Sequence, residues 1–568
     1  MTTPIKWETD DVTRRYFEPR PLPENGTFEL ALVLGGTVSA GAYTAGVLDF
    51  LIEALDAWAA RRGKDPAAPT HNVHLKVVAG TSGGGVNAAI LTRALAYSFP
   101  PVRTKTPSAV AATNPFYDTW VNRLDLSRFL DTGDLKTQPV CGLLNAQPID
   151  DGAAAIETFT GAGPQDRSIF VPGPLATILT ITNLRGVAYT TSFGTASGET
   201  FIDHTDFARF AVTYAWHQPS SARPDEFLVR FDPPPPDQNG WRVLGHYARG
   251  TAAFPLGFPA RNLSRPAQHY RYLAMVVPGD GIDPDRVMPL VPDVNQFGTA
   301  AGYDFPAVDG GATDNEPIEL ARVALSGIGG RNPREGHKAK RAVLLIDPFG
   351  GGASAGPQTI SGVVDTIGPL LQSMIGQARY DSRDILLALR DDVYSRFIIA
   401  ARRGNPSGGT WSGDEALAGA GLAAFMGFAC ADFRRHDYFL GRRNCQAFLR
   451  KAFVLPVGAD AFGAGWNQVT DLSPFIVEDG SQKFLPLIPL FGDVAVDEPE
   501  PVWPRGAFQP EALRPAIEKR LVALATALAG SSRAMRSLAW AAAWLLKRRI
   551  SNWIVAKMQA ALKTAQLL

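Results

Sequence analysis

Apolar positions along the chain come in short runs, each closed by glycine. FELALVL (28–34) is stopped by Gly35-Gly36, and HLKVVAG (74–80) meets a second glycine cluster. Runs this short and this apolar predict buried strands. After each glycine turn the period changes. In GAYTAGVLDFLIEAL (41–55), Tyr43, Val47, Phe50, Leu51 and Leu55 fall on one side of a helix, and GGVNAAILTRAL predicts a second, small-residue helix. Strand, glycine turn and helix, repeated, predict an α/β fold with a central, mostly parallel sheet flanked by helices. ATILTITNL (176–184) and AVLLIDPFGGG (342–352) read as further strands. FDPPPPDQNGW (231–241) predicts a surface loop, because four prolines cannot join a ladder. Residues 361–403 and 415–453 predict mainly helix, as does the end of the chain, and no internal repeat is visible.

The chain of 568 residues is 45% apolar and 19% charged, ordinary for a globular protein. Its 55 basic and 55 acidic residues cancel, so nothing in the total favours nucleic acid. Cys141, Cys430 and Cys445 are too few and too scattered for a disulfide framework or a zinc site, and neither metal nor cofactor is expected. His71 and His74 read as surface or strand-end residues; Asp280, Asp283 and Asp285 do not match a calcium loop. No apolar leader opens the sequence and its apolar runs fall short of a spanning helix, so the expected location is cytoplasmic.

Gly80-Thr81-Ser82-Gly83-Gly84 fits G-x-S-x-G between a strand and a helix. The tight turn lifts the serine hydroxyl above the sheet, and the helix N-terminus offers free N–H groups to a developing oxyanion. A purely structural glycine turn is the alternative; a nucleotide-binding loop is disfavoured because no Gly-Lys-Ser/Thr follows. LGGTVSAGAYTAGVL (34–48) also joins a strand to a helix, without the G-x-G-x-x-G order of a dinucleotide site. Two such turns on neighbouring strands would face one cavity. One would carry the serine while Gly35, Gly36, Thr37, Val38 and Ser39, with Gly83, supply backbone donors for an oxyanion hole. A serine also needs a base. Of the eight histidines only His337 and His436 follow Asp309; both lie in polar or charged segments and read as solvated.

The early glycine loop, G-T-S-G-G and the later Val308-Asp309-Gly310-Gly311 resemble, in order, the three signatures of patatin-like phospholipases. TITNLRG (180–186) and ARGTAAFPLGFPAR (248–261) add weaker likeness, and HDYFLGRRNCQAFLRKAF (436–453) is similar to a segment of larger bacterial members. The resemblance implies a three-layer α/β/α fold with helical C-terminal additions. It also implies a Ser82–Asp309 dyad without histidine, motif glycines at Gly41, Gly80, Gly84, Gly310 and Gly311, and hydrolysis of acyl esters of lipids. Family loops carry Arg or Lys before the helix-opening glycine. This chain has Ser39-Ala40-Gly41, which leaves neutral esters open beside phospholipids. Rival readings are a catalytically silent lipid-binding or scaffold protein on the same fold, and a His-dependent α/β-hydrolase of soluble esters.

The expected organisation is an extension (1–27), an acyl hydrolase domain with insertions (28–350), a helical extension packed on the core (351–496), a Pro-rich linker (497–510) and a basic, Trp-bearing helical segment (511–568). From 519 to 568 there are nine Lys or Arg and no Asp or Glu. Trp540, Trp544 and Trp553 accompany leucines and isoleucines there. That composition suits an anionic membrane surface, although Trp at helical spacing is first expected to pack on the core. Arg442-Arg443 is expected on a solvated helix face.

Overall fold

The computed structural model describes Lys6–Trp7, Arg14, and residues 17–136, 139–191, 199–218, 222–231, 238–277, 285–299, 301–330, 332–350, 393–405, 407–530 and 532–568, together with Thr366, Ser373, Gly376 and Ala378. The proline run, Asp280, Asp283 and nearly all of 361–392 lie outside the described residues.

The centre is a nine-stranded sheet. Its strands are β1 (Thr27–Leu34), β2 (Asn72–Gly80), β3 (Leu175–Thr191), β4 (Glu199–Thr213), β5 (Glu226–Arg230), β6 (Arg261–Pro266), β7 (Gly302–Asp309), β8 (Arg341–Ile346) and β9 (Arg396–Ile399). The spatial order is β9-β8-β1-β2-β3-β7-β6, with β4 on β3 and β5 on β4. Pairing is parallel from β9 through β3 and antiparallel at β3–β7, β7–β6 and β3–β4.

The near-continuous apolar runs are explained by burial on both faces. Phe28, Leu30, Leu32 and Leu34 of β1 join the large core under α1 (Gly41–Arg61) and α2 (Gly83–Ala94). Ala31 and Val33 point the other way, to Ile318, Ala321 and Leu325 of a helix at Ile318–Ser326. The result is the three-layer α/β/α arrangement. Two further helices concern the site: α3 (Gln147–Glu157) and α4 (Gln238–Thr251).

Beyond residue 350 the described part of the expected helical extension is mixed: 415–453 is mainly helical, as expected, but strands accompany it. β9 completes the main sheet, Arg402–Gly404 and Thr410–Ser412 form a hairpin, and Val454–Pro456, Val477–Asp479 and Gln482–Pro486 form a small sheet. The boundary expected at 350 therefore runs through the central sheet. Its main described helix is α5 (Ala431–Lys451), which lies on α1. The two backbones meet at glycines: a Cβ on Gly46 would overlap the Tyr438 carbonyl oxygen, and one on Gly441 the Tyr43 carbonyl. Arg442 is not solvated. It is fully buried between Asp49, Glu53 and Glu498, as a buried cation requires. Glu498 and Phe508 are buried too, so 497–510 is a strap on the core rather than a free linker.

α6 (Arg514–Leu528) and α7 (Arg533–Thr564) end the chain as an antiparallel pair. The C-terminal half of α7 buries Val555, Met558 and Leu562. Its tryptophans do not pack on the core: Trp540 and Trp544 of the N-terminal half are 50% and 51% exposed, and Trp553 of the C-terminal half is 49% exposed. The one stretch among the described residues with the length and apolarity to cross a membrane, Val38–Arg61, is mostly buried inside the protein.

Replacing Gly46 or Gly441 by alanine forces α1 and α5 apart. A loss of about 1–3 kcal/mol is expected, read as a lower urea midpoint with unchanged secondary structure by circular dichroism.

Candidate active site

β2 and β7 share one edge of β3. β2 pairs with Ala176–Leu179 and stops at Gly80, opposite Leu179. β7 arrives from the opposite direction along Thr182 and Asn183 and stops at Asp309, opposite Ile181. The two strand ends therefore face each other across Thr180. Its Oγ1 lies 2.5 Å from that of Thr81, and both hydroxyls donate to the Asp314 carbonyl. Side chains 227 positions apart in sequence are joined in this way: Ser82 Oγ donates to Asp309 Oδ2 at 2.5 Å.

Ser82 occupies φ 53°, ψ −127° at the mouth of α2. A serine held there stores about 1–3 kcal/mol of backbone strain. Its N–H donates to Thr251 Oγ1 at 2.8 Å. The flanking glycines make the turn possible, since a Cβ on Gly84 would overlap the Leu34 and Gly35 carbonyls and one on Gly80 would crowd Gly84. Asp309 is held by the Gly311 N–H on Oδ1 at 2.8 Å. Gly310 lets the chain pass Thr180 without collision. Burial raises the Asp309 carboxyl from 3.8 to about 6, against the opposing pull of its hydrogen bonds from Ser82 and Gly311.

The glycine loop lies beside the pair, though not all of it is free to donate. Gly35 N–H is taken by Ile346 O at 3.1 Å, and Gly36 N–H by Asn315 O at 3.2 Å. These two expected donors are committed to the sheet and to the turn after Asp309. Val38, with φ 49°, and Gly83 line the cavity with Ser82, and each opens a helical turn whose first N–H groups lack intrahelical partners. Ser39 faces away, its hydroxyl bonded to the Ala424 carbonyl. Thr37 Oγ1 is buried beside Gly83, without a partner among the described residues.

The cavity holds about 680 Å³, its open mouth included, and its walls are overwhelmingly apolar. A hydroxyl bonded to a carboxylate of raised basicity, in an apolar cavity, is an arrangement chemically suited to acyl transfer. A model of the patatin-like phospholipases matches residues 32–322. The chain belongs to this family. It is also 30% identical over 551 residues to the uncharacterized protein y4iI of Sinorhizobium fredii, covering 88% of this chain and 76% of that one.

Several residues here escaped the family signatures. Trp120, in a π-helical turn at Asp118–Arg123, donates its indole N–H to Asn87 Oδ1 and fills the space that a Cβ on Gly41 would need. Phe425 and Phe428 come from the far C-terminal region. Arg249 is the one cation among the described lining residues, and it is occupied by Asp150 and Glu157. Neither late histidine touches the pair. His337 is exposed, whereas His436, expected to be solvated, is buried against Asp437 and Trp503. His71 is buried as well, bonded to the Leu487 carbonyl, and burial lowers its pKa to about 4.

The raised carboxyl has a cost. Between its unfolded value of 3.8 and about 6 the folded state holds the extra proton. Stability falls as pH rises through that window, and the deficit persists above it. Asp309→Asn removes a deficit on the order of 3 kcal/mol. At pH 7 its Tm should equal or exceed the parent's, and the gain should vanish near pH 4, both by calorimetry.

Proposed function

We propose that the protein is a serine lipid acyl hydrolase that works through Ser82, Asp309 and an acyl-enzyme intermediate. The observation that carries this reading is the 2.5 Å hydrogen bond from Ser82 Oγ to Asp309 Oδ2, at the end of an apolar cavity. In the proposed cycle Asp309 takes the Ser82 proton as Oγ attacks the ester carbonyl. Val38 and Gly83 N–H groups stabilise the oxyanion. The tetrahedral intermediate collapses, the C–O bond to the alcohol breaks, and the alcohol leaves with the proton held by Asp309. Water then attacks the acyl-Ser82, giving its proton to Asp309, which returns it to Oγ as the fatty acid departs. Ground-state recognition falls to the acyl chain, because the lining arginine is already paired and the glycine loop carries no cation. That favours neutral or weakly charged acyl esters over selection by a phosphate group.

We also assign the exposed face of α7 to peripheral contact with an anionic lipid surface. Leu538, Leu545 and three tryptophans stand exposed, with Lys547 over the Trp544 ring and Lys557 over Trp553. Cations stacked on half-exposed indoles suit a charged interface. The protein is then an enzyme that visits membranes.

With a chromogenic acyl ester, Ser82→Ala and Asp309→Asn each lower kcat/KM by about 10³-fold or more, while His337→Ala does not. Retained turnover in folded Ser82→Ala protein refutes the dyad and returns the silent lipid-binding reading. For the parent, kcat/KM rises with pH through about 6, the value to which burial lifts Asp309, and levels off above it.

Vesicle flotation tests the surface. The parent floats with phosphatidylglycerol vesicles, less so in high salt, whereas Trp540→Ser/Trp544→Ser/Leu545→Ser sediments. A parent that floats with no vesicle yet self-associates through these residues would make the face a contact between copies.

A further inference from the structure

Four residues of α3 line the cavity that Ser82 also lines: Ile149, Gly152, Ala153 and Ile156. They follow a helical stripe spacing, so one face of α3 forms a wall. The middle of that wall has almost no side chain. Glycine weakens a helix interior, and nothing in the backbone asks for it here. Gly152 is not among the positive-φ glycines. Close packing does not require it either, because a Cβ there would meet only Thr119 Cγ2, at an ordinary 3.9 Å. What the glycine provides is width in the slot. The wall contributed by α4 and the turn that follows it is also made of small residues, Ala248 and Ala252.

The stripe ends at Ile156. This residue and Thr119 line the slot on one side and a second, more open cavity on the other, where Phe99 and Phe159 stand. They form a partition between the two spaces.

We propose that Gly152 and Ala153 form the passage for a straight fatty-acyl chain, and that Ile156 with Thr119 is the stop that sets its length. This rests on the acyl hydrolase reading and adds its chain-length rule. A side chain at 152 narrows the passage, and a small residue at 156 joins the slot to the cavity behind it. The two changes must therefore act in opposite directions on long chains.

The experiment measures kcat/KM for p-nitrophenyl butyrate, octanoate and palmitate with the full chain and with Gly152→Ala, Gly152→Leu and Ile156→Ala. Gly152→Leu should lower the palmitate-to-butyrate ratio by roughly tenfold or more, the scale on which apolar pockets discriminate. Gly152→Ala, which favours the helix, should shift it the same way by less and with no loss of Tm, so the proposal survives testing even where leucine disturbs folding. Ile156→Ala should raise the palmitate-to-octanoate ratio. A ratio within about twofold of the parent's in folded Gly152 variants places the acyl chain elsewhere and overturns the proposal. If the parent hydrolyses none of the esters above the Ser82→Ala background, the acyl hydrolase reading falls, and the chain-length rule with it.

Discussion

One edge of one strand organises the site. β3 gives its ladder first to β2, running with it, and then to β7, running against it, and leaves Thr180 between the two ends. Ladder hydrogen bonds fix register to a fraction of an ångström, because slipping by a residue would reverse every side chain. The separation of Ser82 and Asp309 is thus set by backbone pairing and not by the side chains themselves. The strain at Ser82 and the buried carboxylate are tolerable because this ladder, Thr251 and the Gly311 N–H hold both partners in place.

The same burial that is unfavourable for folding is useful for chemistry. An aspartate in water is too weak a base to activate a serine. Buried in a cavity that Trp120, Phe254 and Phe258 also line, the Asp309 carboxyl has its pKa raised toward neutrality. A dry wall also strengthens each N–H aimed at a developing oxyanion. The apolar slot therefore has two consequences from one property: it accommodates hydrocarbon, and it tunes the proposed base.

Much of this was readable in the sequence. Glycine turns after apolar runs marked β1 and β2, and three ordered motifs named Ser82, Asp309 and the loop beside them. The walls were not readable. Trp120, Gly152 and Phe425 lie in insertions and distant segments whose only local mark is apolar residues at helical spacing, which fits any core helix. The stripe Ile149, Gly152, Ala153, Ile156 drew no reading from the sequence, because nothing in it told which side of a helix faced a ligand. Burial likewise overrode polarity. His71, His436 and Arg442 looked solvated because a sequence does not display the carbonyl or the carboxylates that later satisfy them. The donors at Gly35 and Gly36 failed for a related reason: a main-chain N–H belongs to whichever carbonyl the fold brings nearest.

The glycine contact between α1 and α5 bears on how the molecule comes into being. A nascent chain emerging from the ribosome has both Ser82 and Asp309 outside well before residue 441 exists, and domains start to form from the N-terminal end. Until α5 arrives, the side of α1 that carries Gly46 has no partner, and Phe425 and Phe428 are not yet there to wall the slot. Translation order thus delays completion of the apolar cavity until α5 has been made.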